Sequence, residues 1–321
     1  MQDSRAAGGS SVDAKRIDVV ASIPFFLMHL MPLGIFWTGM TLTNALLCVG
    51  LYVVRMFFIT AGYHRYFAHR AYKLNRFWQF VMAFGGGTAV QKGALWWAAH
   101  HRDHHRYSDT ELDVHSPKHG AFWSHVGWIL STRFHHTSFE RIKDFARFPE
   151  LVWLNKHHWV PGALLGTACF LLGGAGALFA FFLSTVLLYH GTFTINSLAH
   201  VFGRRRYETT DTSRNSFLLA LITLGEGWHN NHHHYQASAN QGFFWWEIDI
   251  SYYVIRAMAW LGIARDVRVA PRHVVLGTSK SARTARDGAG APEPAASLPE
   301  PAAPVAPLAE PATLGVPTPA E

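Results

Sequence analysis

The segment GEGWHNNHHHYQ, residues 225–236, places four histidines within six positions, at His229, His232, His233 and His234. Neutral imidazoles bind transition metals, so a cluster of this density predicts a metal site. The chain around it is unusually apolar, because 49% of its 321 residues are hydrophobic and only 15% are charged. Soluble domains contain about 25% charged residues, so this composition favours a membrane protein.

Two long segments without Lys or Arg, residues 17–54 and 157–203, indicate where the membrane part lies. A helix needs about 20 apolar residues to cross a bilayer core of roughly 30 Å. We therefore predict an all-α integral membrane protein with four transmembrane helices in two hairpins. The predicted spans cover about 20–40, 43–63, 159–174 and 176–200. The alternative is a large soluble protein that buries helices of the same composition.

The basic residues predict the orientation of these spans. Lys15 and Arg16 precede the first span and Arg204–Arg206 follow the fourth, whereas the two predicted turns carry no basic residue. By the positive-inside rule, both termini and the long middle segment lie in the cytoplasm. We expect the apolar segment 77–97, which a glycine triplet and a lysine interrupt, to lie in the plane of the membrane at that face. Nucleic acid is not an expected partner despite the net charge of +7, because the basic residues border apolar segments.

The two ends of the chain differ from this middle part in composition. Residues 1–16 are small and polar, and nine of the fifteen prolines fall within the last thirty positions. Such segments bury too little apolar surface to order themselves. We predict a membrane domain at 17–268 between a disordered N-terminus, 1–16, and a disordered Ala/Pro-rich tail, 269–321.

Four polar motifs fall at the predicted cytoplasmic ends of the spans. They are HRYFAH with His64 and His69, HRDHH with His101, His104 and His105, NSLAH with Asn196 and His200, and HNNHH with His229, His232 and His233. Positions i, i+3 and i+4 of a helix share a face, so the three histidines of each HxxHH motif could converge. Nine imidazoles exceed what one metal can use but suit two, and the ligand type leaves Fe, Cu, Ni and Zn open.

Four acidic residues near these motifs are predicted to orient the imidazoles by accepting hydrogen bonds. They are Asp103, Asp109, Asp113 and Glu226. The alternative is that each is a solvated surface acid.

The motifs HRYFAH, HRDHH and GEGWHNNHH resemble the three histidine boxes of the membrane fatty-acyl desaturases, and Asn196 with His200 matches an additional ligand element of that family. The runs ITAGYHRYFAHRAY and HRYSDTELDVHSP resemble the delta-9 branch, and the likeness extends over roughly residues 20–265. The resemblance implies a cytoplasmic helical cap that holds two irons, with the nine histidines as ligands and Asn196 bound through a water. It implies use of O2 and two electrons to insert a cis double bond, expected at delta-9, into a saturated acyl chain. It implies no catalytic side chain beyond the metal centre.

Chain length in such an enzyme would depend on a tunnel for the acyl chain. Tyr52 and Met56, one helical turn apart in the second span, are predicted to form the floor of this tunnel. Ordinary core packing is the alternative for both.

The expected substrate is an acyl chain on a membrane lipid or on CoA. Acyl-CoA desaturases commonly carry arginine and aspartate before the second box, whereas this chain has Ala99 and His100 there, which favours a glycerolipid. No haem-binding cytochrome b5 domain is expected in the tail, so a separate ferredoxin, rubredoxin or cytochrome-type protein, with its reductase, would donate the electrons. The expected location is the bacterial inner membrane.

Two rival functions stay open. A membrane di-iron hydroxylase of fatty acids or alkanes would use the same metal architecture. A histidine-rich metal transporter fits less well, because transporters place their ligands near the bilayer midplane, whereas these histidines gather at the span ends.

Overall fold

The structure, a computed structural model, describes residues 17–277. Within this range the regular elements are all helical, and strand pairing is limited to isolated bridges such as Lys73–Arg265. The α-helices are α1 Ile23–Leu30, α2 Ile35–Thr38, α3 Leu42–Phe57, α4 Arg76–Gly87, α5 Ala94–Tyr107, α6 Lys143–Ala146, α7 Pro149–Lys156, α8 Val160–Ser197, α9 Phe217–Ile222, α10 His229–His234, α11 Ile250–Trp260 and α12 Arg272–Val275. The π-helices are Phe58–Ala68 and Trp123–Gly127, and the 3₁₀ turns are Met31–Gly34, Pro117–His119, Thr132–Phe134, Phe139–Arg141 and Leu198–His200.

Two helices are long and apolar enough to cross a membrane, Leu42–Ala68 and Val160–His200, and a shorter apolar helix covers Ile23–Thr38. The first two apolar helices meet at Gly39, whose φ of 73° is a conformation that glycine adopts without strain. Thr41 then caps the next helix, because its hydroxyl accepts a hydrogen bond from Asn44 N at 3.2 Å.

The helix α8 is two antiparallel helices joined at Gly174. Its φ of 67° and ψ of −162° break the helical path there. A Cβ on Gly166 would lie 3.2 Å from Phe181 Cε1. A straight helix would separate these two residues by about 22 Å. The chain therefore reverses at the turn that the sequence predicted within 173–176.

The segment predicted to lie in the membrane plane, 77–97, is not one element. It forms most of α4, a turn at 88–93 and the first residues of α5. Asn155 Oδ1 accepts a hydrogen bond from Trp96 N at 2.8 Å, near the start of α5. The break at the turn separates α5, which carries the HRDHH motif, from the apolar helix before it.

A buried arginine joins the histidine-bearing elements in the core. Arg65, 1% exposed, lies at the end of the π-helix that follows α3. Its Nη1 is 2.8 Å from Asp249 Oδ1, and its Nη2 is 3.0 Å from Glu226 Oε1. Buried charges need such partners, so these bonds fix the π-helix to the chain around α10 and α11.

The predicted disordered ends require one correction. Residues 1–16 and 278–321 lie outside the described residues. The prediction is wrong for 269–277, however, which include α12. Val275 O accepts a hydrogen bond from Tyr207 OH, and the preceding Arg268 O accepts one from Ala239 N at 2.8 Å. These contacts with the folded domain order a segment whose own composition does not predict structure.

Candidate metal centre

Nine of the ten predicted metal-binding residues are histidines, and the structure gathers all nine into two groups. Within each group the ring nitrogens lie within 4.8 Å of one another. The first group contains His64, His69, His101, His105 and His232. The second group contains His104, His200, His229 and His233.

The ring nitrogens of the first group are too close, and too many, to be satisfied by hydrogen bonds alone. His101 Nε2 lies 3.0 Å from His69 Nε2 and 2.9 Å from His105 Nε2. A ring nitrogen has one in-plane hydrogen or one lone pair, so it cannot serve two such neighbours at once. Nitrogens bound at right angles to a metal, with bonds of about 2.1 Å, stand about 3 Å apart. The five imidazoles therefore fit a shared metal ion.

A π-helix explains how the HRYFAH motif contributes two imidazoles to this group. Residues Phe58–Ala68 follow i→i+5 hydrogen bonding, and His69 N donates to His64 O at 3.1 Å. On an α-helix, positions five apart point in different directions, whereas the wider π turn brings them onto one face. Their rings lie 4.8 Å apart.

The second group has the same character. His200 Nε2 lies 3.1 Å from His229 Nε2. His233 Nε2 is buried without a hydrogen-bond partner in the described part of the chain, because only its Nδ1 meets a carboxylate. A buried nitrogen without a hydrogen-bond partner, in a cluster of imidazoles, has a lone pair available to bind a metal ion.

The two HxxHH motifs do not each converge on one point, which corrects the expectation from helical spacing. On α5, His101 and His105 belong to the first group and His104 to the second. On α10 the division is reversed, with His232 in the first group and His229 and His233 in the second. Each motif is shared between the groups because i and i+4 are closer in direction than either is to i+3. His234, the last histidine of the opening stretch, stacks on Tyr207 instead.

Carboxylates hold the outer nitrogens of several rings. His104 Nδ1 donates to Asp113 Oδ2 at 3.0 Å, and His200 Nδ1 donates to Asp109 Oδ2 at 3.2 Å. Glu226 forms a short contact with His64 Nδ1. Burial would raise the pKa of Asp109 and of Asp113, but the imidazole partners hold both pKa values well below the usual range. These three acids therefore stay ionised as hydrogen-bond acceptors.

Two further carboxylates depart from the sequence expectation. Asp103 contacts no imidazole of the two groups, and its Oδ1 lies 2.7 Å from Arg141 Nε. Asp211, which the sequence did not single out, accepts a hydrogen bond from His233 Nδ1 at 2.6 Å. It comes from the loop 203–216, where nothing in the spacing marks it as different from the neighbouring polar residues.

One histidine excluded by its spacing lies beside the second group. The ring of His115 is 4.4 Å from that of His104, and the two enclose Asp113. Burial and the neighbouring His104 lower the pKa of His115 to about 3.

Five of the nine imidazoles are held in the neutral form that metal binding requires. Burial lowers the pKa of each ring well below its ordinary value, and the neighbouring histidines lower it further. This holds for His69, His101, His105, His229 and His232.

A largely apolar cavity of about 380 Å³ lies beside this centre, although none of the nine histidines lines it. Its wall includes Trp97, whose ring stacks on that of His101 at 4.8 Å, and Asn196, one turn before His200. Asn196, the tenth predicted ligand, thus belongs to the wall beside the second group. Gln91 Nε2 donates to Thr192 Oγ1 at 2.7 Å in the wall of the same cavity.

Tyr52 and Met56, the predicted tunnel floor, are not part of this cavity wall. Both side chains pack against Gly191 of α8. Tyr52 OH also donates to Ile222 O at 2.6 Å. Gly191 directly precedes Thr192, which lines the cavity. Tyr52 and Met56 therefore contact α8 on a face next to the one that lines the cavity.

Comparison with known proteins identifies the family. A fatty acid desaturase family model matches residues 27–263. Delta-9 acyl-lipid desaturase 1 of Arabidopsis thaliana is 35% identical over 269 residues, covering 79% of this chain and 85% of that protein. The sn-2 palmitoyl-lipid 9-desaturase of Nostoc sp. (strain 36) is 36% identical over 222 residues, 66% of this chain and 77% of that protein. The Acyl-CoA C20 Delta5-desaturase of Anemone leveillei is 34% identical over 232 residues, 69% of this chain and 73% of that protein. The chain therefore belongs to the fatty acid desaturase family, whose members are membrane-associated oxidoreductases, and it acts on fatty-acyl chains.

Proposed function

We propose that this desaturase inserts a cis double bond at the delta-9 position of a saturated acyl chain carried on a glycerolipid. The proposal rests mainly on a largely apolar cavity whose wall includes Trp97, which stacks on His101 of the first histidine group, and Asn196, one turn before His200 of the second. The relatives from Arabidopsis and Nostoc are named as acyl-lipid 9-desaturases, which supports both the position and the carrier. Ala99, two residues before His101 of the HRDHH motif, is 1% exposed and offers no cation to a CoA head group.

The nine histidines are proposed to hold two irons, five on one and four on the other, with Asn196 acting through a water. Bound there, the irons would supply the O2 and redox chemistry that removes two hydrogens from an unactivated methylene pair. The protein's own contribution is positional. Asp109, Asp113, Asp211 and Glu226 orient the rings.

The cavity wall would place the methylene pair beside the irons. Trp97, which stacks on His101, is part of this wall, and so are Gln91 and Thr192, which are joined by a hydrogen bond. An acyl chain held by these groups would present one fixed pair of carbons to the irons. The orientation of the chain would therefore determine the position of the double bond. Apolar walls also exclude water from that position.

Tyr52 and Met56 are proposed to limit chain length beyond this point, because both pack against the helix that carries Thr192. Tyr52→Ala would then accept longer acyl chains. Tyr52→Phe, which removes only the hydrogen bond to Ile222 O, would keep the original chain length.

We further propose four transmembrane spans, with the histidine groups and both termini in the cytoplasm. The apolar helices Ile23–Thr38 and Leu42–Ala68 would form one hairpin, and the two halves of α8 the other. The absence of basic residues from both hairpin turns supports this orientation.

Electrons are proposed to come from a separate acidic ferredoxin, rubredoxin or cytochrome-type protein. The loop 203–216 would be its docking point, since Arg204 and Arg205 are exposed at one end. The same loop carries Asp211, which bonds to His233. A donor docked there would lie close to the second histidine group.

The test is expression in a host without its own desaturase, with a redox partner supplied. Fatty acids are profiled by mass spectrometry with localisation of the double bond. We expect a new delta-9 cis alkene, lost in His101→Ala and kept in His273→Ala, whose side chain is exposed and outside both groups. Hydroxylated acids in place of alkenes would overturn desaturation in favour of oxygen insertion.

A further inference from the structure

A strained turn in the cavity wall holds a lysine in a fixed place. Val90 and Lys92 have φ values of 59° and 64°, a left-handed conformation that is costly for residues other than glycine. Such strain persists only where the surroundings enforce it, and it is common where ligands are held.

Three hydrogen bonds enforce this conformation. Tyr189 OH donates to Val90 O at 2.8 Å, and Tyr63 OH donates to Lys92 O at 3.2 Å. Between them, the amide of Gln91 donates to Thr192 Oγ1. The turn 90–92 is therefore held at each of its residues, and all three line the cavity.

The side chain of Lys92 has an aromatic neighbour and no acidic partner. Its Nζ lies 5.0 Å from the centre of the Trp96 ring. Among residues 17–277, no carboxylate oxygen is within 4.0 Å of this amine. Burial lowers the pKa of Lys92 to about 8, so the amine is largely charged at neutral pH. A half-buried cation without a counter-ion is a site for an anion.

Two histidines share the cavity wall with this lysine. Burial lowers the pKa of His135 and of His158, and the charge of Lys92 lowers both further. At neutral pH they are therefore uncharged rings that can each donate one hydrogen bond. Asp18 also faces His135, but its Oδ1 already accepts a hydrogen bond from Ala21 N at 2.9 Å.

Most of the rest of the cavity is lined by apolar side chains. Phe25, Met28 and Phe193 line it, as does Trp97 beside His101. A ligand that fills it therefore has a negatively charged head and an apolar chain.

We propose that Lys92, His135 and His158 form an anion subsite that binds the phosphodiester of a glycerophospholipid while the lipid's acyl chain occupies the cavity. The inference rests on the proposed function and adds the chemical class of the lipid head group. One fixed positive charge with two neutral donors suits a singly charged phosphodiester. A neutral glycolipid would leave the lysine unpaired, and the several phosphates of CoA would lack cations.

The test measures binding on the full-length, iron-loaded protein in detergent. Quenching of tryptophan fluorescence reports on the cavity, because Trp96, Trp97 and Trp128 line it. The ligands are distearoyl phosphatidylglycerol, a distearoyl glucosyl diacylglycerol with the same chains, stearoyl-CoA and glycerol 3-phosphate. The variants are Lys92→Gln, Lys92→Arg and the matched control Lys73→Gln, whose side chain is exposed and pairs with Asp266.

We expect Lys92→Gln to weaken phosphatidylglycerol binding by about tenfold or more, the usual effect of losing a hydrogen bond to a charged group. Glucosyl diacylglycerol should change less than about twofold, Lys92→Arg should retain binding, and Lys73→Gln should bind every ligand as the parent does. Equal losses for both lipids would overturn the subsite, as would a parent protein that prefers stearoyl-CoA. Glycerol 3-phosphate bound as tightly as the whole lipid would also overturn it, in favour of a soluble phosphate ligand.

This readout is independent of turnover. A protein that discriminates between the lipids through Lys92 but forms no alkene would contradict the proposed function and support the subsite. A protein that desaturates both lipids and binds them with equal affinity would support the proposed function and contradict the subsite.

Discussion

The ring of His233 is fixed by a single residue, Asp211, which lies far from it in the sequence. Burial would raise the pKa of this carboxyl, but the hydrogen bond from His233 Nδ1 holds the pKa well below its usual range. An ionised acceptor makes the imidazole more basic, and therefore a stronger ligand for a metal, and it fixes the tautomer of the ring.

Asp211→Asn should therefore weaken metal binding in the second histidine group by about 10–100-fold, because the amide carries no charge to support the ring. Iron per protein, measured after dialysis against a graded series of chelator concentrations, should fall from two to one at chelator levels that the parent withstands. Asp266→Asn is the matched control, since that carboxylate is exposed and pairs with Lys73. Retention of both irons at parental levels would show that Asp211 does not support a ligand.

The charge of Lys92 predicts a pH dependence of lipid binding. Its pKa, lowered by burial to about 8, means that the cation is lost as pH rises through that value. Burial lowers the pKa values of the rings of His100, His135 and His158, so these rings are uncharged at neutral pH and stay so as pH rises. The Asp18 carboxylate also faces His135. Phosphatidylglycerol affinity should therefore fall by about tenfold between pH 7.5 and 9.5. In Lys92→Gln the affinity should be flat over this range, and a parent that is equally flat would contradict the role of the lysine.

For the helices, the sequence predicts which segments carry the clustered histidines better than it predicts how these histidines divide between the two groups. The nine histidines were identifiable because their motifs repeat and fall at the ends of apolar segments. The division of HRDHH and HNNHH between two groups depends on how α5 and α10 face each other, which spacing along one helix does not contain. The π-helix at Phe58–Ala68 is likewise set by packing, since no local signal distinguishes it from the end of α3.

Spacing along the sequence also fails to predict which loop residues contact the histidines and which residues line the cavity. Asp211 reaches His233 because of the path of a loop, and Lys92 enters the cavity because helices on both sides hold its turn. The hairpin turn at 173–176, by contrast, was predictable, because consecutive glycines interrupt an apolar segment of twice the length of one span.

The strained conformation at this turn can be tested by substituting Gly174 and, as a matched control, Gly50. Gly174 has a φ and ψ that only glycine adopts readily, so Gly174→Ala should destabilise the fold by about 1–3 kcal/mol. Gly50 lies inside α3, where alanine is the better helix former, so Gly50→Ala should stabilise it by about 0.5–1 kcal/mol. A methyl group meets no atom within 4 Å at either position, so sterics do not interfere. Thermal unfolding in detergent should move in opposite directions, and a Gly174→Ala midpoint at or above the parent's would contradict the strained turn.

At the scale of the whole molecule, the two hairpin turns lie together and far from the histidines. Gly176 packs against Asn44, which joins the tips of the two hairpins. From Leu42 to His69, and again from Gly174 to His200, the chain runs through about 26 helical residues, or about 40 Å. A bilayer core of about 30 Å fits between the tips and the histidine groups. Near the tips, Trp37 and Leu172 are 91% and 90% exposed, as lipid-facing side chains would be.

The proposed topology predicts which positions a membrane-impermeant maleimide can reach in intact cells. Cys48 and Cys169 are buried and are first replaced by alanine. Single cysteines are then introduced as Met40→Cys and Ala175→Cys at the two tips, and as Arg205→Cys in the loop beside the second histidine group. The two tip cysteines should react from outside, because both turns face away from the cytoplasm. Arg205→Cys should react only after the membrane is permeabilised, which also serves as the control for its accessibility. Labelling of Arg205→Cys in intact cells would place the metal centre outside and reverse the orientation, and a difference between the two tips would rule out two hairpins inserted from the same side.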